Sequence, residues 1–309
     1  MKMSEPHATT KQISKQLIRL EKNWFANVKK MSKVLIDSFN AWIDHRGASK
    51  GAALAFYTLF SLTPILILAI AVAGYFFGAE AAQGLIIYQI QGLVGPNGAE
   101  AIQALLAAAR DPTASLMATV IATFLLIIGA TSVFTELKGS LDEIWGSKNP
   151  TLSAIGVLLK TRLLSFGLVL TLTFLLLISL IVSTVLSVLQ HFIGGIWSSS
   201  AILFASVSWI ISFAVITSLF AVIYKMLPDA PISWFDVLIG SLFTAGLFVL
   251  GKYLIGLYLG NSAVASSFGA AGSIVALLLW VYYSAQIFFL GAEFTRQYAL
   301  SFGSLQPHD

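Results

Sequence analysis

The residues of this chain that could do chemistry are polar and charged side chains lodged in long apolar runs. Lys252 has apolar sequence on both sides, and Trp280, Tyr282, Tyr283, Ser284 and Gln286 interrupt the last apolar run, which ends in Gly291-Ala292-Glu293. Hydrocarbon offers such groups no water, so they either tie helices together or line a path for a solute or lipid. An earlier run carries Tyr57, Thr58 and Pro64, and Tyr57 and Thr58 are the expected partners of the polar residues in the last run. Pro64 cannot donate to the carbonyl of Phe60, which predicts a kink, with Ser61 and Thr63 placed to satisfy the freed group.

Position separates these candidates. At about 1.5 Å per residue, Lys252 lies roughly 24 Å along a helix that starts near Asp236. Its stem either carries the ammonium to the outer interface or holds it in an outward-opening cavity, where it could pair with a phosphate or carboxylate. Trp280 falls near mid-bilayer and is therefore not an interfacial aromatic. Glu293 and Arg296 sit together at the other end of the run. They read either as a surface pair or as a charged latch at a cytoplasmic gate, and Glu136 has the same standing.

Catalytic chemistry finds little support. His7, His45, His191 and His308 have no ligand spacing, and Glu136, Asp142 and Glu143 alternate with Lys138 and Lys148 as a solvated loop would. Phosphodiester hydrolysis needs clustered metal-holding acids or a His acid–base pair. No Gly-rich phosphate loop is visible, and the chain has no cysteine, which removes disulfides, thiolate metal sites and a Cys nucleophile. The expectation is a protein without catalytic residues, metal or cofactor.

The elements that must position these residues are membrane spans. Of the 309 residues 57% are hydrophobic and 10% charged, against about 25% charged in a soluble domain. Apolar runs at about 52–77, 114–134, 163–189, 201–223, 237–257 and 268–292 predict an all-α bundle of six transmembrane helices. Residues 79–113 hold Gly95-Pro96-Asn97-Gly98 between two short helical stretches and predict a re-entrant or interfacial helical hairpin between spans 1 and 2. Ser233-Trp234-Phe235-Asp236 predicts a serine-capped helix start with an acid in its first turn. Stripes of small residues (Ser179, Ser183 and Ser187; Ser208 and Ser212; Gly256 and Gly260) read as helix-packing faces.

Ahead of the first span, Ile13, Leu17, Leu20, Trp24, Val28, Met31, Leu35, Phe39 and Trp42 recur at helical spacing, opposite Lys15, Lys22, Lys29, Lys30 and Lys33. That is a basic amphipathic helix suited to anionic headgroups, or to packing beneath the bundle; a nucleic-acid partner would leave its apolar face uncovered. The first 50 residues show no cleavable signal, so the first span is expected to serve as the insertion signal. Lys and Arg concentrate before span 1 and in the loops after spans 2 and 4, while the opposite side carries Arg110. The positive-inside rule then predicts cytoplasmic termini in a bacterial inner membrane. The organisation expected is a cytoplasmic segment 1–46, a six-span domain 47–298 and a cytoplasmic tail 299–309.

Several strings resemble one family. They are Gly51-Ala52-Ala53-Leu54-Ala55-Phe56-Tyr57-Thr58-Leu59-Phe60-Ser61-Leu62-Thr63-Pro64, Leu141-Asp142-Glu143-Ile144-Trp145-Gly146, Leu227-Pro228-Asp229-Ala230-Pro231 before Trp234, and Gly272-Ser273-Ile274-Val275 running on to Gly291-Ala292-Glu293-Phe294. This set is similar to the YihY/BrkB family of bacterial inner-membrane proteins, over about Gly47 to Tyr298. Asp142 and Phe268 depart from its usual Asn and Tyr. The resemblance implies six spans and cytoplasmic termini. Its members carry conflicting labels: tRNA-processing ribonuclease (ribonuclease BN), virulence factor, transporter. The residues favour a transporter or lipid-handling protein without its own ATPase over a non-transporting membrane scaffold, and both over a nuclease. Membrane lipids are the expected partners.

Overall fold

The computed structural model describes residues 27–109, 132–147, 200–261 and 272–306, and every extended element among them is a helix. In chain order these are α1 (residues 27–44), α2 (Gly47–Phe77), α3 (Ala79–Ala109), α4 (residues 132–145), α5 (Ser200–Met226), α6 (Trp234–Asn261) and α7 (Gly272–Ser301). Most of the second predicted span, all of the third and the serine stripe at 179–187 lie outside the described residues.

Helix α7 is the hub, packing against α6, α2 and α3, while α5 packs on α6 and α2 on α3. One apolar core joins α4, α5, α6 and the second half of α7 through Leu141, Tyr224, Val237 and Phe289. A second joins the later part of α2 to α3 and the start of α7 through Ile70, Ile102 and Leu277. The outward faces are also apolar: Phe56 and Phe60 on α2, Trp209 and Ile210 on α5, and Leu250, Leu254 and Leu257 on α6 are exposed. In water each would forgo about 25 cal/mol for every Å² left uncovered, whereas lipid tails cover such a face at no cost. Among the described residues three stretches are long and apolar enough to cross a bilayer, Ser206–Met226, Trp234–Tyr258 and Ile274–Ser301. These coincide with the last three spans expected from the sequence.

Local sequence explains the joints. Asp44-His45-Arg46-Gly47 ends α1 as expected, with Arg46 in the left-handed region (φ 56°) as the chain turns into α2. Gly78 (φ 84°) alone separates α2 from α3, a conformation that suits glycine. Ser233 caps α6, its hydroxyl accepting from the Asp236 amide at 3.2 Å.

Two expectations are corrected. The hairpin between spans 1 and 2 is a single helix, α3, that runs unbroken through Gly95-Pro96-Asn97-Gly98. Pro96 removes one bond, to the carbonyl of Gly92, and Ala99, Ile102 and Leu106 beyond it are all buried. That burial holds the second half in line where the local turn signal would have bent it. The supposed solvated loop after span 2 is helix α4, and its Lys138 is only 7% exposed.

Candidate functional site

The first turn of α2 and the second half of α7 meet along a polar seam. Glu293 is fully buried (0% exposed) and its Oε1 lies 2.6 Å from His45 Nδ1. Its second oxygen, Oε2, is buried with no hydrogen-bond partner. Lys50 and Arg296 add positive charge near enough to act on this carboxylate. Lys50 Nζ itself lies 2.9 Å from Glu143 Oε2 on α4, an ion pair without hydrogen-bonding angles, since the ammonium makes no hydrogen bond. Two turns earlier on α7, Gln286 donates from Nε2 to the Ala48 carbonyl at 3.5 Å, a long contact, and its Oε1 is buried and unpaired.

Glycines make this approach possible. A Cβ at Gly51 would collide with the Gln286 amide, and one at Gly47 with the Trp42 indole. Gly47 and Gly51 are one turn apart on α2, so the indole and the amide stack on the same face. Trp42 Nε1 is likewise buried without an acceptor. The first turn of α2 has no acidic residue and no side-chain cap. The seam thus concentrates unsatisfied donors and acceptors, which buried sites elsewhere in proteins avoid.

Other predicted site residues fall around this seam. Arg296 is half-buried one turn beyond Glu293, and Glu293 pairs with His45 in the interior, which corrects the surface-pair reading. Trp280 sits edge-on to Phe248 of α6 at 6.0 Å, and a Cβ at Gly251 would collide with the Tyr283 hydroxyl, so both face α6. Tyr282 is half-buried. Ser284 bonds back to the Trp280 carbonyl at 2.9 Å. Tyr57 and Thr58 are half-buried on α2, beyond the turn that Gln286 reaches; Tyr57 packs on Phe56, and the Thr58 carbonyl accepts from Ser61. Helix α2 continues through Pro64. Lys252 is exposed on α6, next to exposed Tyr253, Leu254 and Tyr258. Glu136 is half-buried on α4.

Two polar clusters that sequence reasoning missed lie nearby. Lys138 donates to Asp142 Oδ2 and Asp229 Oδ2, both at 2.9 Å, and to the Leu227 carbonyl at 3.3 Å. Asp142 Oδ1 in turn accepts from the Asp229 amide at 2.9 Å. Burial pulls the Lys138 ammonium down, but its hydrogen bonds and charge contacts with the two aspartates outweigh this and hold it above the ordinary lysine value. Asp236, buried, accepts from the Ser304 amide at 2.8 Å and hydroxyl at 2.6 Å, fastening the turn after α7 to the start of α6. The spacing of Lys138 and Asp142, one helical turn, was a visible signal for the first cluster; nothing local announces Asp229 or Ser304 as partners.

Among the described residues no group of three or more His, Asp or Glu could hold a metal ion. Comparison with known proteins agrees with the membrane architecture. Residues 38–308 match the family described as Virulence factor BrkB. A UPF0761 membrane protein of Acinetobacter baylyi is 24% identical over 288 residues, 93% of this chain and 65% of the relative. Another, of Teredinibacter turnerae, is 25% identical over 293 residues, 91% of this chain and 64% of the relative. The chain therefore spans somewhat less than two thirds of the length of these curated relatives. No solved structure matches.

Proposed function

From a chain that belongs to the Virulence factor BrkB family, we propose a six-span inner-membrane transporter or lipid-handling protein with cytoplasmic termini and no ATPase of its own. The solute or headgroup passes along the seam between α2 and α7, with Gln286, Glu293 and His45 as its polar contacts. The observation that carries this reading is Glu293: a fully buried carboxylate with one oxygen unpaired, in a helix otherwise apolar enough to span. Ionisable groups at such positions are expensive to keep and mark pathways for ions and substrates. Exposed Lys252 among exposed tyrosines suits the outer interface, where its ammonium meets phosphate headgroups. Lys225, 5.8 Å over the Trp234 ring, suits the inner one.

The scaffold alternative has its own observation. Helix α1 turns Val34 and Ser38 inward but exposes Val28, Leu35, Ile36, Phe39 and Ile43 as a stripe beside Lys29 and Lys33. That stripe fits an anionic headgroup layer and would equally hold a membrane-bound partner. The ribonuclease reading finds no support: Asp142 is taken by Lys138 and Glu293 by His45, and the relatives are named only as membrane proteins.

The test uses purified protein in vesicles of phosphatidylethanolamine and phosphatidylglycerol. Transbilayer movement of headgroup-labelled lipid and entry of small polar solutes are both followed. Wild type is expected to move one of these, with Gln286→Ala and Glu293→Gln lowering the rate about tenfold, the equivalent of about 1.4 kcal/mol in the barrier. Variants that match wild type remove the seam as the path. A wild type that moves neither probe favours the scaffold.

A further inference from the structure

We propose that Glu293 and His45 together form a proton-binding site, loaded from the α1–α2 side through the imidazole. The ligand follows from what the two groups can accept. Glu293 Oε1 is engaged by His45 Nδ1 at 2.6 Å, and Oε2 is buried with no hydrogen-bonding side chain or backbone group beside it among the described residues. An ionised carboxylate held this way keeps half its charge unsolvated, which proteins relieve by neutralising the group. The His45 side chain is 28% exposed while that of Glu293 is 1% exposed, so the imidazole is the member that meets solvent.

Other ligands fit less well. A hard cation requires several oxygen ligands, and here it would sit among His45, Lys50 and Arg296. An anion would face the carboxylate itself. A proton needs neither space nor further ligands. The charged groups facing Glu293 are His45 from the α1–α2 turn, Lys50 from α2 and Arg296 from α7, with Glu143 of α4 reached through Lys50. On α6, Asp236 is engaged by Ser304 and Lys252 is exposed towards the far end of the helix.

The step balances without any co-reactant. It starts from a neutral imidazole that donates from Nδ1 to the carboxylate. A proton arrives at Nε2, the nitrogen not engaged with Glu293, and the Nδ1 proton passes to Oε1. The pair gains one proton and loses its net negative charge, Oε2 becomes an uncharged carbonyl oxygen, and reversal returns the proton to the solvent side. For its part in transport this inference rests on the seam being the path; proton binding itself does not.

The experiment is infrared difference spectroscopy of the full chain in lipid nanodiscs between high and low pH, in H2O and D2O. A carboxylic-acid band that grows on acidification, shifts in D2O and disappears in Glu293→Gln is the expected result. Identical difference spectra for wild type and Glu293→Gln overturn the site. Should that variant not fold, imidazole nitrogen shifts of wild type, assigned with His45→Gln, decide the matter. A switch of tautomer alongside the carboxyl band supports the relay, and simple imidazolium formation with no band overturns it. A titrating band in protein that moves no lipid or solute keeps the proton site and removes the path. Transport lost in Glu293→Gln with no such band in wild type removes the proton site and keeps the path.

Discussion

Replacing Lys138 with methionine tests whether the charge network holds the cytoplasmic end together. The ammonium makes two charged hydrogen bonds at 2.9 Å and one to a carbonyl at 3.3 Å, and is itself 7% exposed. Removing one partner of a fully buried ion pair costs about 3–5 kcal/mol. Here the carboxylates of Asp142 and Asp229 are 24% and 32% exposed, so both regain some water once the lysine has gone. Discounting for that solvation leaves a loss of about 2–3 kcal/mol, mostly repulsion between two carboxylates that the lysine had bridged. Reversible unfolding in a defined micelle measures it, and a cycle with Asp229→Asn isolates the coupling, expected at about 1–2 kcal/mol. Alkaline titration supplies a second check. The folded ammonium titrates above its unfolded value, so its stabilisation is complete below about pH 10.4 and fades as pH rises through the folded value. A Lys138→Met loss below about 0.5 kcal/mol, or strictly additive double-variant effects, would refute the argument.

Two further perturbations test the frame. A Cβ at Gly291 would collide with the Thr244 hydroxyl and come within 2.7 Å of the Tyr224 hydroxyl, so Gly291→Val should destabilise by about 1–3 kcal/mol, recovered in part by Thr244→Ala, as read in the same unfolding assay. Asp236→Ala strips the Ser304 amide and hydroxyl of their acceptor; about 1–2 kcal/mol is expected to be lost, with earlier protease cleavage after α7 as the readout.

What the sequence made legible was local. Hydropathy located three spans, Asp44-His45-Arg46-Gly47 marked a real break and Ser233 a real cap, because each depends on residues within a turn or two. Long-range pairing stayed hidden. His45 and Glu293 are 248 residues apart, and Lys138 and Asp229 are 91 apart, so no spacing rule links them. Glu293 stands out in the sequence, but periodicity offers only Arg296, a neighbour on the same helix, as its partner. The straight course of α3 was illegible for the opposite reason: a strong local turn signal is overruled by burial of Ala99, Ile102 and Leu106 beyond it.

The polar groups of the described core divide by whether they are satisfied. Lys138, Asp142 and Asp229 complete one another, Asp236 is engaged by Ser304, and the Tyr224 hydroxyl donates to the Phe288 carbonyl at 2.7 Å. These groups hold helix ends in register, and a ligand would have to break them to reach them. Six buried side-chain atoms among the described residues lack a hydrogen-bond partner: Trp145 Nε1 and Ser241 Oγ lie elsewhere, whereas Trp42 Nε1, Lys50 Nζ (ion-paired with Glu143), Gln286 Oε1 and Glu293 Oε2 lie where the start of α2 meets α7. Incomplete buried groups are costly to maintain in a fold that completes so many others, which argues that a mobile partner (proton, water, solute or headgroup) completes them in turn. The same division explains why exposed Lys252, conspicuous in sequence, is the weaker candidate. Its charge can find the interface unaided, whereas Glu293 depends on whatever enters the seam.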